Sequence, residues 1–146
     1  MTAQAPKAGD TGRLSVGLVM VTHGQVGESL LEVAVRMLGK CPLPVEVIRV
    51  GTDADPDELR EQVRQRVDAV DQGRGVLVLT DMYGGTPSNI ARSLCDGRRV
   101  HVIAGLNLPM LIRVLNYPQL DATALAAKAI SGGRKGILET KAEEHV

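Results

Sequence analysis

The sequence predicts an α/β domain: a doubly wound, mainly parallel sheet of order 2-1-3-4 with helices on both faces. Three observations predict it. Short apolar runs alternate with segments of helical periodicity, the pattern of crossover units in a parallel sheet. The first run, Ser15 to Val21, is apolar on both faces, as a strand covered from both sides is. The second, Val45 to Val50, is broken by Glu46 and Arg49, which suits an edge and leaves the first strand internal.

The elements follow in order. After the first strand, Gly27 to Leu38 reads as a helix with Leu30, Leu31, Ala34, Met37 and Leu38 along one stripe, ended by Gly39 and Pro42. Beyond the second strand, Asp55 is a cap, Pro56 a first helical residue and Glu58 the partner of a capping box. Leu59, Val63, Val67 and Val70 then recur at helical spacing. The third strand is Val76 to Thr80. The next helix is read with Thr86 as cap and Pro87 as first residue, burying Ile90, Ala91, Leu94 and Cys95. The fourth strand, Val100 to Ala104, ends at Gly105. Asn107 and Pro109 turn the chain into a helix carrying Met110, Leu111, Val114 and Leu115. Asp121 to Ile130 reads as a last helix stopped by Gly132-Gly133, and Gly136 to Thr140 as a short final strand.

A chain of 146 residues suits one domain with one core. Residues 14–141 are read as that domain, residues 1–13 as a disordered arm and residues 142–146 as a frayed tail. With no Trp or Phe, and only Tyr83 and Tyr117 as aromatics, the core must be aliphatic. Lys plus Arg and Asp plus Glu balance at 17 each, which argues against nucleic acid and anionic membranes as partners. Cys41 and Cys95 form no metal or redox spacing and read as free thiols of a reducing cytosol. No apolar stretch is long enough to span a bilayer, and residues 1–13 lack the apolar block of a signal peptide.

Two apolar runs stop at a chemically capable residue followed by glycine: Val19-Met20-Val21-Thr22-His23-Gly24, and Val76 through Thr80 followed by Asp81-Met82-Tyr83-Gly84-Gly85-Thr86-Pro87. In a 2-1-3-4 sheet the crevice between strands one and three is the switch point where ligands bind at the carboxyl ends. His23 and Asp81 are the first strongly polar side chains there. A carboxylate that accepts the Nδ1 proton leaves Nε2 free to attack phosphorus and stabilises the charge developing on the ring. Such a charge-assisted bond contributes about 1.5–3 kcal/mol. Gly84, Gly85 and Thr86 are placed to donate to an anionic group at a helix entrance, and Gly24 permits close approach to the backbone. Asp81 is also an ordinary turn former, and Gly84 to Pro87 also serves as a strand-to-helix connection. His101 reads as structural, His145 as solvated, and Asn107 as a turn former or a site-lining residue. No metal site is expected, since no second His or Cys falls near His23 at ligand spacing. No cofactor is expected either: both the dinucleotide fingerprint and the P-loop are missing.

Three segments together carry a resemblance: Val21-Thr22-His23-Gly24, Leu79 through Asn89, and Ile103-Ala104-Gly105-Leu106-Asn107-Leu108-Pro109-Met110. Over about Leu14 to Leu138 the sequence resembles the enzyme IIA domain of mannose-type (mannose/fructose/sorbose) sugar phosphotransferase systems. The resemblance implies a cytoplasmic phosphocarrier. Its His23 would accept a phosphoryl group on Nε2 from the phosphohistidine carrier HPr and pass it to a IIB partner. Asp81 would orient the histidine, and Thr86 matches a small hydroxyl residue beside it. The resemblance also implies a homodimer whose last strand is exchanged between subunits, which would give Gly136 to Thr140 a purpose. Gln25 and Tyr83 depart from larger aromatic residues of some members. Three alternatives stay open: a phosphotransfer subunit related to that of dihydroxyacetone kinase, a regulatory module binding a small ligand in the same crevice without covalent chemistry, and a purely structural interaction protein whose site is vestigial.

Overall fold

Alternation along the central strands divides the core between the two faces of one sheet. The computed structural model describes residues 14–142. Its strands are β1 (Gly17–His23), β2 (Val45–Val50), β3 (Val76–Thr80) and β4 (Val100–Ala104). All pair in parallel, in the order β2-β1-β3-β4. The helices are α1 (Val26–Leu38), α2 (Pro56–Val70), α3 (Thr86–Arg92), α4 (Leu108–Leu115) and α5 (Ala122–Lys135).

Leu18, Met20, Leu77 and Leu79 point to the face covered by α1, α4 and α5, where they meet Leu31, Ala34, Leu111 and Leu125. Val19, Val21, Val76 and Val78 point the other way, against Leu59, Val63 and Val67 of α2 and Ile90 of α3. Burying each such side chain stabilises the fold by about 1.5–3 kcal/mol relative to exposure. The strand order follows from this pattern: β1 and β3 are buried on both faces, while β2 carries the half-buried Glu46 and exposed Arg49 at an edge.

Besides Met37 and Cys95, which are exposed rather than buried, four local expectations change. The first strand runs on to His23, because β2 reaches equally far and pairs Val50 with it. Thr22 is buried there, its Oγ1 accepting the Gly27 N–H at 2.8 Å. At α3 the cap is Gly85 in extended conformation, and Thr86 is the first helical residue with no side-chain capping bond. The third change is in α5, which continues through Gly132-Gly133 to Lys135. A Cβ at Gly132 would lie 2.5 Å from Arg113 Cβ, and one at Gly133 would lie 2.9 Å from Met110 Cε. These glycines therefore serve close packing of α5 on α4, and the contact outweighs their poor helix propensity. Finally, Gly136 to Thr140 forms no strand; it follows α5 as exposed chain, with Ile137 and Leu138 at 75% and 82% exposure. The expected arm, residues 1–13, and residues 143–146 of the expected tail, His145 included, lie outside the described residues.

Candidate functional site

Parallel pairing of β1 with β3 sets Val21 opposite Thr80, so both chains leave the sheet at the same edge. His23 closes β1 and Asp81 follows β3 directly. Their side chains meet: His23 Nδ1 lies 3.0 Å from Asp81 Oδ2 and 3.1 Å from Oδ1. The His23 backbone N–H also donates to Oδ2, at 3.0 Å. One carboxylate thus fixes both the main chain and the ring of the same residue. An ionised carboxylate only accepts, so the ring proton belongs on Nδ1 and the Nε2 lone pair is left available. The imidazole is 46% exposed and the Asp81 side chain 14%, so the acid is screened from water while the ring is open to an incoming group.

The Gly84–Thr86 loop lies beside the ring. A Cβ on Gly85 would be 3.0 Å from His23 Cε1 and 3.5 Å from Nε2, so the lack of a side chain makes room for the imidazole. The Gly85 N–H, expected to donate to an anion, instead donates to Met82 O at 3.2 Å. The Gly24 N–H likewise goes to Val50 O, at 3.1 Å. Gly24 and Gly84 have φ of 49° and 84°, the left-handed region that glycine enters without strain. Gly84 O accepts from Asn89 Nδ2 at 3.3 Å, and the Asn89 N–H donates to Gly85 O at 2.9 Å, so Asn89 braces the loop from inside α3. The Thr86 side chain is exposed and has no hydrogen-bond partner among the described residues, which leaves its hydroxyl available at the loop's end.

Sequence reasoning missed the support beneath the site. Glu28, buried in the first turn of α1, is held by a two-pronged ion pair from Arg49 at the end of β2. The Glu28 carboxyl is lowered from the ordinary 4.5 to about 2, with the hydrogen bond from the Arg49 guanidinium as the largest of several causes. The pair ties the start of α1 to the strand that flanks His23. Its only sequence signal is two opposite charges in segments that the sheet later brings together. Asn107 proves to be a cap: its Oδ1 accepts the Met110 N–H at 2.9 Å, and its Nδ2 donates to Gly133 O at 3.1 Å. His101 lies with Nε2 3.2 Å from Thr123 Oγ1, away from His23. No cluster of three or more His, Cys, Asp or Glu able to hold a metal occurs among the described residues. Nor is any of their helices long and apolar enough to cross a membrane.

A family model described as EIIA-man, PTS system fructose IIA component, matches residues 17–130. The chain is 36% identical over 140 residues to the PTS system mannose-specific EIIAB component of Escherichia coli (strain K12). That alignment takes in 89% of this chain and 41% of the relative, so the chain spans well under half of that protein's length. It is 28% identical over 116 residues to the transcriptional regulatory protein LevR of Bacillus subtilis (strain 168), covering 75% of this chain and 12% of the regulator. Among solved structures, the mannose/sorbose specific IIA subunit of the phosphotransferase system from Enterococcus faecalis superposes with a TM-score of 0.79. At 22% identity, covering 90% of this chain and 99% of that one, the likeness is one of fold.

Proposed function

Because the chain belongs to the mannose-type IIA family of sugar phosphotransferase systems, we propose that it is a cytoplasmic phosphocarrier working through a phosphohistidine at His23. The donor is phospho-HPr. The Nε2 lone pair of His23 attacks the phosphorus, a new N–P bond forms, and the N–P bond to the donor imidazole breaks. The Nδ1 proton stays between the ring and Asp81, whose carboxylate offsets the positive charge that the ring acquires. A IIB-type acceptor then takes the phosphoryl group by the reverse geometry, freeing Nε2. Thr86 and the backbone of the Gly24 and Gly84–Gly85 turns bound the space for the transferred group, with the Thr86 hydroxyl as donor.

The observation that carries this reading is the 3.0 Å contact between His23 Nδ1 and Asp81 on a half-exposed ring whose Nε2 has no hydrogen-bond partner among the described residues. Exposed Met82 and Tyr83 beside the site supply apolar ground for a protein donor rather than a small one. The relation to the Bacillus subtilis regulator favours regulation as a second use of the same transfer. A homodimer fits the exposed Ile137 and Leu138 and the terminal position of β4 in the sheet.

Incubation with phosphoenolpyruvate, enzyme I and HPr tests the reading. Intact mass should rise by one phosphoryl group, acid-labile and base-stable, and His23→Ala should abolish the gain. Label that persists in that variant contradicts the assignment.

A further inference from the structure

We infer that the cleft at the opposite, amino-terminal edge of the sheet is a second ligand site, for a small hydroxylated organic phosphate. The cleft has a volume of about 560 Å³ and is formed where three segments converge. These are Asp71–Gly75 before β3, Arg98–Arg99 before β4, and Asp121–Thr123 at the start of α5. Gly75 closes its floor: at φ 91° it packs so tightly that a Cβ would lie 2.7 Å from Ala122 Cβ and 2.9 Å from Arg99 O.

The charges there are unevenly matched. Arg99 reaches Asp71 at 2.5 Å and Asp68 at 2.7 Å. Asp71 also accepts the Gly73 N–H at 2.8 Å, and Asp121 accepts the Ala124 N–H at 2.9 Å as the cap of α5. Asp96, behind the cleft, accepts the N–H groups of Arg98, Arg99 and Val100. Asp68 and Asp71 are thus paired with Arg99, while Asp96 and Asp121 are held by backbone N–H groups alone. The side chains of Arg74 and Arg98 have no hydrogen bond or ion pair among the described residues, and Arg74 is half-buried. A guanidinium partly withdrawn from water without a counter-charge is unfavourable until an anion arrives. Two guanidinium forks on separate loops suit the oxygens of a phosphate.

Size and polarity narrow the class further. The volume exceeds the needs of inorganic phosphate and falls in the range of small-molecule sites. The Asp121 carboxylate retains lone pairs for ligand hydroxyls, and the Thr123 hydroxyl adds a donor or acceptor. These groups repel a simple polyanion and favour one phosphate carried on a polyol.

Calorimetric titration of the full chain with glucose 6-phosphate, inorganic phosphate and glucose tests the site. Glucose 6-phosphate should bind saturably and more tightly than inorganic phosphate, with glucose silent. Binding should be unchanged in His23→Ala, which separates it from the carrier site. The double variant Arg74→Ala, Arg98→Ala should weaken it at least roughly tenfold, and Arg92→Ala, outside the cleft, should not. Arg74→Gln with Arg98→Gln gives the same readout with the stems retained, should the alanine pair fail to fold. Absence of saturable glucose 6-phosphate binding, its loss in His23→Ala, or its survival in both double variants overturns the proposal. None of those outcomes bears on phosphorylation of His23, which is read separately by mass.

Discussion

Asp81 receives two hydrogen bonds from one residue, the ring and the backbone N–H of His23. Replacing it by Asn separates its two roles. The amide oxygen still accepts, so the fold and the residue's position should survive, but the ring loses its charge partner and its fixed tautomer. Transfer should slow by roughly a hundredfold with unchanged thermal stability; rapid-quench labelling measures this, and an unaltered rate would remove Asp81 from the chemistry. Gly85 tests the geometry differently. Its φ of −76° tolerates any side chain, so Gly85→Ala carries no backbone strain, yet the new methyl lies 3.0 Å from His23 Cε1. Phosphorylation should slow while the melting temperature hardly moves. At this scale the pair was legible in the sequence, because two apolar runs end at His23 and Asp81 and little else polar competes for that edge. The Gly85 amide was not legible, since its bond to Met82 O depends on how the turn closes.

Among the elements, α5 shows how packing overrides a local stop signal. Gly132-Gly133 reads as a terminator, but Gly132 faces α4 at a distance that admits no side chain, and Gly133 packs against the flexible end of Met110. Gly132→Ala should therefore destabilise the fold by about 1–3 kcal/mol through overpacking, despite raising helix propensity; urea denaturation checks the sign. A gain in stability would mean that the helices do not approach so closely. The Glu28–Arg49 pair joins α1 to β2 and was hidden for another reason: its members lie 21 residues apart in different elements, and only the β1–β2 register brings them together. The folded-state pKa of Glu28 is depressed from 4.5 to about 2. Its contribution is present in full above about pH 4.5 and is lost as pH falls towards 2. Glu28→Gln should lower stability at neutral pH and flatten its dependence on pH within that window. Equal acid profiles for the two proteins would refute the role.

The whole molecule is one sheet with two different edges. Strand order was readable from burial, since Val19 and Val78 lie in continuous apolar runs whereas Glu46 and Arg49 interrupt theirs. That order alone brings His23 to Asp81, although 58 positions separate them along the chain. The segment after α5 was the least legible part. Gly136 to Thr140 has too few residues for periodicity to choose, and no strand in the described residues pairs with it. The central claim, that Asp81 holds the Nδ1 proton so that Nε2 carries phosphorus, is tested most directly by nitrogen-15 NMR of the imidazole before and after phosphorylation. Nδ1 should be the protonated nitrogen throughout, with coupling to phosphorus appearing at Nε2 of His23. Phosphorus coupled to Nδ1, or a free protein whose proton resides on Nε2, would contradict it.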